Sequence, residues 1–223
     1  IKINILKNFR LKKEPYFFIC NEFFDALPIN QFEMIKNHWY EKRITVKNGF
    51  FKIVYQKNNF KNEIKSKSIN GDVIETSPLT DLYLNKIFQQ IKIYGGGVLI
   101  FDYGPYLKKK IDTLQVISKS KKANFLENVF ESDITYHVDF EKIKEQSNSF
   151  GLYNYGPISQ KKFLFFYGIN ERLMTLLKNN NSNKTQSILN YQFNRLTDPK
   201  GMGGLIKCLF ITNKNMNIDA FRG

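Results

Sequence analysis

Cysteine, tryptophan, histidine and long apolar runs are all scarce in this chain, and each scarcity removes a class of protein. There are two cysteines, one tryptophan and two histidines in 223 residues. Cys20 (FFICN) and Cys208 (IKCLF) each stand in an apolar run, with no CxxC partner and no His-rich neighbourhood. That pattern argues against a disulfide framework and against a metal site, and predicts reduced, buried thiols. No stretch approaches the roughly 18 to 20 uninterrupted apolar residues of a membrane span. The opening residues IKINILKNFRLKKEPYFF contain no apolar core followed by a small-residue cleavage site, so the expectation is a cytoplasmic protein without a membrane partner. Acidic residues are also few, 20 against 34 Lys and Arg, for a formal charge of +14. Such a surplus raises nucleic acid as a partner. Here the lysines are spread among Asn and Ile in short runs such as Lys108 to Lys110, and Arg is scarce. A nucleic-acid groove interleaves Arg with aromatics on one element, so the balance tells against it.

What is present is a globular chain, 42% hydrophobic and long enough for one large domain or two small ones. Tyr16 to Cys20 lacks alternation and predicts a short strand buried on both faces. A helix or turn at Glu22 to Leu27 follows, closed by Pro28. Two alternating runs in residues 35–56, separated by Lys47, Asn48 and Gly49, predict an antiparallel hairpin, and residues 32–56 read as an insertion. Residues 59–70 are polar and read as a surface loop. Ser77 and Pro78 then open a helix with an apolar face at Leu79, Leu82, Leu84, Ile87 and Ile91, ending at Gly95. GGGVLIFDYGP supplies a second short strand, closing in Asp102 and Tyr103. Helix followed by buried strand with polar residues at its carboxyl end is the order of a parallel α/β sheet, where ligands gather at those ends. Further on, the pattern predicts a strand at Ile134 to Val138, a helix from near Asp139, a loop with a capping Ser159, one long helix, another helix in QSILNYQFNRLTD, and a terminal strand in GLIKCLFIT.

Asn21, Glu22 and Asp25 crowd the end of the first strand. Carboxylates there can hold a cationic substrate, a ribose or a guanidinium. Equally, an Asn or Asp ahead of a short helix satisfies its free N–H groups with no ligand at all. Asp102 and Tyr103 at the end of the second strand favour a site, because both strands would deliver polar groups to one rim. His137 beside a strand is more often structural than catalytic. Gly156, Pro157, Ser159 and Gln160 are accounted for by a loop that caps the following helix.

NEFFDALP, followed by Gln31 and Phe32, resembles the signature of the MidA-like family, the mitochondrial complex I assembly methyltransferases and their bacterial relatives. The likeness continues in order through WYEKRITV, GDVIETSP, VLIFDYG, DTLQ, the LEN of residues 126–128, DITYHVDF, GPISQKKFL and MGGLIKCLFIT, spanning about Pro15 to Thr212. The resemblance implies a class I S-adenosylmethionine-dependent methyltransferase fold, Rossmann-like, acting on a protein arginine, with a complex I subunit as acceptor. It places NEFFDALP at the end of the fourth strand of such a sheet and VLIFDYG at the fifth. Asn21, Glu22 and Asp25 become the catalytic candidates. Asp102, Tyr103, His137, Asp139, Gly156, Pro157 and Gln160 become candidates for substrate contact.

One part of the family pattern is missing. These enzymes bind the cofactor through a Gly-rich turn after the first strand and an acid closing the second. The cluster Gly95 to Gly97 precedes its strand instead of following it, so no cofactor-binding residue is assigned. The expectation is a partial domain from the fourth strand onward, poorly active alone, with an open apolar edge that a separate N-terminal half would complete. A decayed frame, a fragment and half of a two-chain enzyme all fit, and so does a non-enzymatic interaction module.

Overall fold

In the computed structural model the described residues are 10–58, 67–118, 121, 122, 126, 132–180 and 182–222. Most of the stretch read as a surface loop, and two residues of the LEN match, fall outside them. The chain divides into two compact units, one of Ile1–Asn21, Tyr83–Phe101 and Glu141–Gly223, the other of Glu22–Leu82 and Asp102–Phe140.

The first unit is built on a four-stranded sheet in the order β1 (Tyr16–Asn21), β6 (Gly96–Tyr103), β11 (Ile206–Thr212), β10 (Tyr153–Ser159). β1 and β6 pair in parallel, Tyr16 opposite Gly96 through Asn21 opposite Phe101. Every residue of β11 is buried, which is what a central strand requires. Ahead of β6 runs α1 (Pro78–Tyr94), and its buried side chains Leu84, Ile87, Phe88 and Ile91 recur at helical spacing. Leu82, expected on that apolar face, is exposed, and Phe88 takes its place in the core. Phe88 meets Phe150 edge-on beyond α2 (Phe140–Ser149).

β1 departs from the expectation of burial on both faces. Only Phe18 is buried, while Phe17 and Ile19 are 61% and 70% exposed. The cause is position: among the described residues β1 is the outermost strand of its sheet, and the face that carries Phe17 and Ile19 is exposed. A strand also appears where a loop was expected, because β10 pairs antiparallel with β11 around a register shift between Tyr155 and Ile158. The single long helix expected after Ser159 is two, α3 (Gln160–Phe166) and α4 (Ile169–Lys178), broken at Gly168 with φ of 84°. Ser159 does cap α3, its side chain accepting from Lys162 N. Helices α5 (Asn183–Thr197) and α6 (Met202–Leu205) lead into β11. Cys20 is half-buried and Cys208 buried, both as free thiols.

Gly96 and Gly97, expected ahead of the strand, are the first two residues of β6, and Gly96 shows why glycine stands there. A Cβ there would lie 1.9 Å from the Tyr16 carbonyl oxygen, at a φ of +104°. The parallel pairing of β1 with β6 therefore needs glycine. Gly96→Ala is expected to cost about 3 kcal/mol, combining overpacking of roughly 1–3 kcal/mol with a left-handed penalty of about 1–2. Gly49→Ala, with φ of +78° but nothing within 4 Å, should lose only the conformational part. Urea unfolding of the two variants checks the difference.

The second unit carries an antiparallel sheet in the order β4 (Phe50–Lys57), β3 (His38–Lys47), β2 (Asn30–Ile35), β5 (Val73–Thr76). Phe32, Met34, Trp39 and Ile74 form its core. β3 and β4 turn at Asn48 and Gly49, both at positive φ, the geometry that a two-residue hairpin asks for. A smaller sheet joins β7 (Gln115–Ser118) to β8 (Lys121–Lys122) and β9 (Asp133–Thr135). β9 is shorter than the expected Ile134 to Val138, because residues 136–138 spend their N–H groups elsewhere: Tyr136 N on Asp25 O, His137 N on Thr113 Oγ1, Val138 N on Tyr103 O. Among the described residues no helix is long and apolar enough to cross a membrane.

Candidate active site

The pairing of β1 with β6 ends at Asn21 opposite Phe101, and the next residues of each segment, Glu22 and Asp102, open the second unit. Residues 22–27 form a turn and not a helix. Glu22 holds a left-handed φ of 46°, uncommon for a residue with a side chain. Phe24 and Asp25 are buried at 0% and 3% exposure, and Asp102 is fully buried. Phe24 N donates to Asp102 Oδ2 and Tyr103 N to Asp102 Oδ1, each at 2.9 Å. Asp102 thus ties the turn after β1 to the end of β6 across 78 positions of sequence.

Asp25 is the unusual group. Its Oδ1 is buried without a hydrogen-bond partner, and buried polar atoms left in that condition call for a functional account. Burial raises the Asp25 pKa, Glu22's charge raises it further, and the N–H groups of Ala26 and Asp25 with the Asp102 side chain oppose the shift. Burial, then the charge of Asp25, push Asp102 up to about 7 against the N–H groups of Phe24, Tyr103 and Asp25. Buried Tyr136 closes the region, its phenol within 3.2 Å of Thr80 Oγ1. Ser77 holds Thr80 N and Thr80 Oγ1, and donates to Pro28 O.

The structure therefore brings Glu22, Asp25 and Asp102 together, with the Tyr103 backbone beside them. Asn21 ends β1, exposed, in the first unit. His137 is engaged through its backbone, N–H to Thr113 Oγ1 and carbonyl to Lys108 Nζ. Asp139 directly precedes α2. Gly156 and Pro157 lie in the irregular stretch of β10, and buried Gln160 donates to Leu196 O. Sequence reasoning missed Phe24, Thr80 and Tyr136. It also missed Glu75, whose buried carboxylate accepts from Gln31 Nε2, Thr113 N and Thr113 Oγ1 and pairs with Lys108 at 3.7 Å. A charged residue inside the apolar run VIET was the available signal.

A nucleoside cradle needs a glycine turn with open space after a strand. Gly104 follows β6, but a Cβ there would lie 2.4 Å from Val138 O, so backbone fills that space. Gly96 is closed by Tyr16 in the same way. Among the described residues, the glycines at the two parallel strands offer no such cradle.

Two parallel strands followed by acids, beside the antiparallel pair β10 and β11, fit part of the sheet of a class I S-adenosylmethionine-dependent methyltransferase. A crystal structure of a Burkholderia thailandensis protein bound to S-adenosyl-homocysteine superposes with a TM-score of 0.80 at 20% identity, over 96% of this chain and 58% of that one. A native crystal structure from the same organism gives 0.79 at 21%. Residues 2–158 match the family described as "Putative S-adenosyl-L-methionine-dependent methyltransferase", and the chain belongs to that family. It is 31% identical over 196 residues to "Protein arginine methyltransferase NDUFAF7, mitochondrial" of Xenopus laevis, covering 86% of this chain and 44% of that protein. The human protein of that name is 27% identical over 191 residues, 84% and 43%, and the Caenorhabditis elegans homolog 32% over 193, 83% and 45%. The chain spans less than half the length of these relatives. Their names overturn the cytoplasmic reading, since all three are named mitochondrial. Composition could not separate the alternatives, because cytosol and mitochondrial matrix are both aqueous and ask the same of a folded surface.

Proposed function

We propose that this chain carries the acceptor side of a protein-arginine N-methyltransferase using S-adenosylmethionine as methyl donor, completed by the part of the fold that the relatives carry beyond the matched region. The observation that carries the reading is the unpartnered, buried Asp25 Oδ1 beside Glu22. A guanidinium is planar, permanently charged and rich in donors, and a carboxylate is its natural counterpart. Two anionic side chains on one turn hold it in a single orientation, so that one nitrogen faces the reacting carbon. Methyl transfer is chiefly such a positioning problem. S-adenosylmethionine supplies the activated methyl group. The described residues furnish no cradle at the parallel strands for its nucleoside, so the role assigned to this chain is to bind and orient the acceptor. The arginine substrate follows the relatives' names, and the family resemblance points to a respiratory complex I subunit.

The test joins this chain, by fusion or as a second polypeptide, to the N-terminal part of a relative. The completed enzyme is expected to label Arg in a peptide acceptor with a methyl group and to leave a Lys at the same position unlabelled, as read by mass spectrometry. Labelling of Lys alone would refute the guanidinium assignment.

A further inference from the structure

We propose that the second unit carries a subsite beside the acceptor turn: an apolar cleft that takes an aliphatic or aromatic side chain standing within about four residues of the target arginine in an extended acceptor segment. The identity of the target as arginine rests on the function proposed above, whereas the apolar demand of the cleft does not.

The cleft follows from strand register. Gln31 of β2 pairs with Lys42 of β3 and with Glu75 of β5, and Lys42 pairs with Tyr55 of β4, so these four side chains form one row across one face of the sheet. Further along that face stand the cross-strand pairs Ile44 with Ile53 and Val46 with Phe51. Phe32, Met34, Trp39 and Ile74, the core of the sheet, belong to the opposite face. Ile44, Ile53 and Phe51 are therefore apolar side chains that this core does not use, and all three are exposed. With Leu114 and with Ile134 of β9 they line a cleft of about 380 Å³, inside the roughly 300–1,000 Å³ typical of ligand pockets.

Its occupant is apolar because the charges on its wall are already paired. Lys42 meets Glu33 and Asp112 at 3.2 and 3.0 Å, and Arg43 meets Glu41 at 2.8 Å. Among the described residues no acid lines the cleft, so a guanidinium belongs at Asp25 and not here. One polar atom does point to a ligand. Gln31, which lines the cleft at 8% exposure, donates from Nε2 to Glu75 Oε1 at 2.9 Å and to Asp112 Oδ1 at 2.8 Å. Ionised carboxylates accept and do not donate, which fixes the amide this way round. Its Oε1 is left without a partner among the described residues. An extended peptide carries the matching donor, a backbone N–H, at each residue it offers.

Position decides which segment enters. Pro28 and Ile29 line the cleft, three and four residues after Asp25, and Ser77 Oγ holds that stretch by donating to Pro28 O at 2.8 Å. The Cα of Ile29 thus lies within about 14 Å of that of Asp25, the span of four extended residues. An acceptor with its arginine at Asp25 reaches the cleft with a neighbouring side chain.

The experiment is methyl NMR of the whole chain, carbon-13 labelled at the isoleucine δ methyls, of which those on Ile29, Ile44, Ile53 and Ile134 report from the cleft. The probes are acetylated, amidated glycine peptides holding an Arg and, within four residues of it, a Phe, together with counterparts carrying Ala for Phe or Gln for Arg. The Phe peptide is expected to shift these methyls and to bind about tenfold tighter than the Ala peptide, the scale of partly burying a phenylalanine. Ile44→Ser, at a position 58% exposed and outside the core, should erase that difference and leave the preference for Arg over Gln in place. Equal affinity of the Phe and Ala peptides, or shifts that bypass the four methyls, would overturn the subsite and leave the arginine assignment to its own test. If the variant does not fold, the parent's Phe-against-Ala ratio still decides. Phe-dependent shifts at these methyls that are indifferent to Gln in place of Arg remove the guanidinium assignment and leave the apolar subsite standing.

Discussion

In the completed enzyme, Asp25→Ala is expected to lower kcat for arginine methylation by roughly 10²–10³-fold, the scale seen when one preorganised electrostatic partner of a reacting group is removed. The fold should survive. Asp25's side chain is buried with one oxygen unpartnered, so its desolvation cost offsets what the N–H groups of Ala26 and Asp25 give it. What holds the turn is backbone: Phe24 N on Asp102, and Tyr136 N on the Asp25 carbonyl, which alanine retains. Thermal unfolding of Asp25→Ala should therefore match the parent or exceed it. The loss should fall on kcat more than on KM, because orienting the nitrogen matters most as the new bond forms. Asp25→Asn keeps the shape and removes the charge, and should lose nearly as much. An Asp25→Ala enzyme that methylates at the parent rate would leave the turn with a structural role only.

The second large effect concerns the methyl donor. Isothermal titration of this chain alone is expected to show no saturable binding of S-adenosylmethionine at micromolar concentrations, and addition of the N-terminal part of a relative should restore it. Among the described residues β1 is the outermost strand of its sheet, and it exposes Phe17 and Ile19 on one face. Phe17 already stacks on Phe210, so that exposed apolar face is organised. A parallel strand docked beside β1, with its layer above Phe17 and Ile19, would bring the glycine turn that the described strands lack. Ile19→Lys should make the isolated chain more soluble and the complementation weaker, since a charge on that face opposes the incoming layer. Micromolar binding by the unaided chain would show that its own residues suffice for the donor.

Local signals carried much of this fold. The start of α1 was readable because a serine followed by proline acts on its own neighbours, and Ser77 Oγ does accept from Thr80 N. Asn48 and Gly49 marked a hairpin because that turn needs positive φ at adjacent positions. β6 was readable as a short apolar strand, and the ordered motifs from NEFFDALP to MGGLIKCLFIT pointed to the family. β10 was not readable, because Gly156 and Pro157 resemble a loop and the strand exists through its pairing with β11. The break at Gly168 was hidden for a related reason, since an isolated glycine can sit within a helix and packing decides whether it does.

The sequence by itself determined the chemistry available at the strand ends: Glu22, Asp25 and Asp102 are acids at the close of two apolar runs, whatever surrounds them. Only the tertiary structure decided what each acid does. It buried Asp102 against the N–H groups of Phe24 and Tyr103, left Asp25 Oδ1 without a partner, and kept Glu22 exposed. Hydrophobic periodicity reports which face of an element turns inward, but the charge state of a carboxyl depends on desolvation and on partners far off in sequence, and those exist only once the chain has folded.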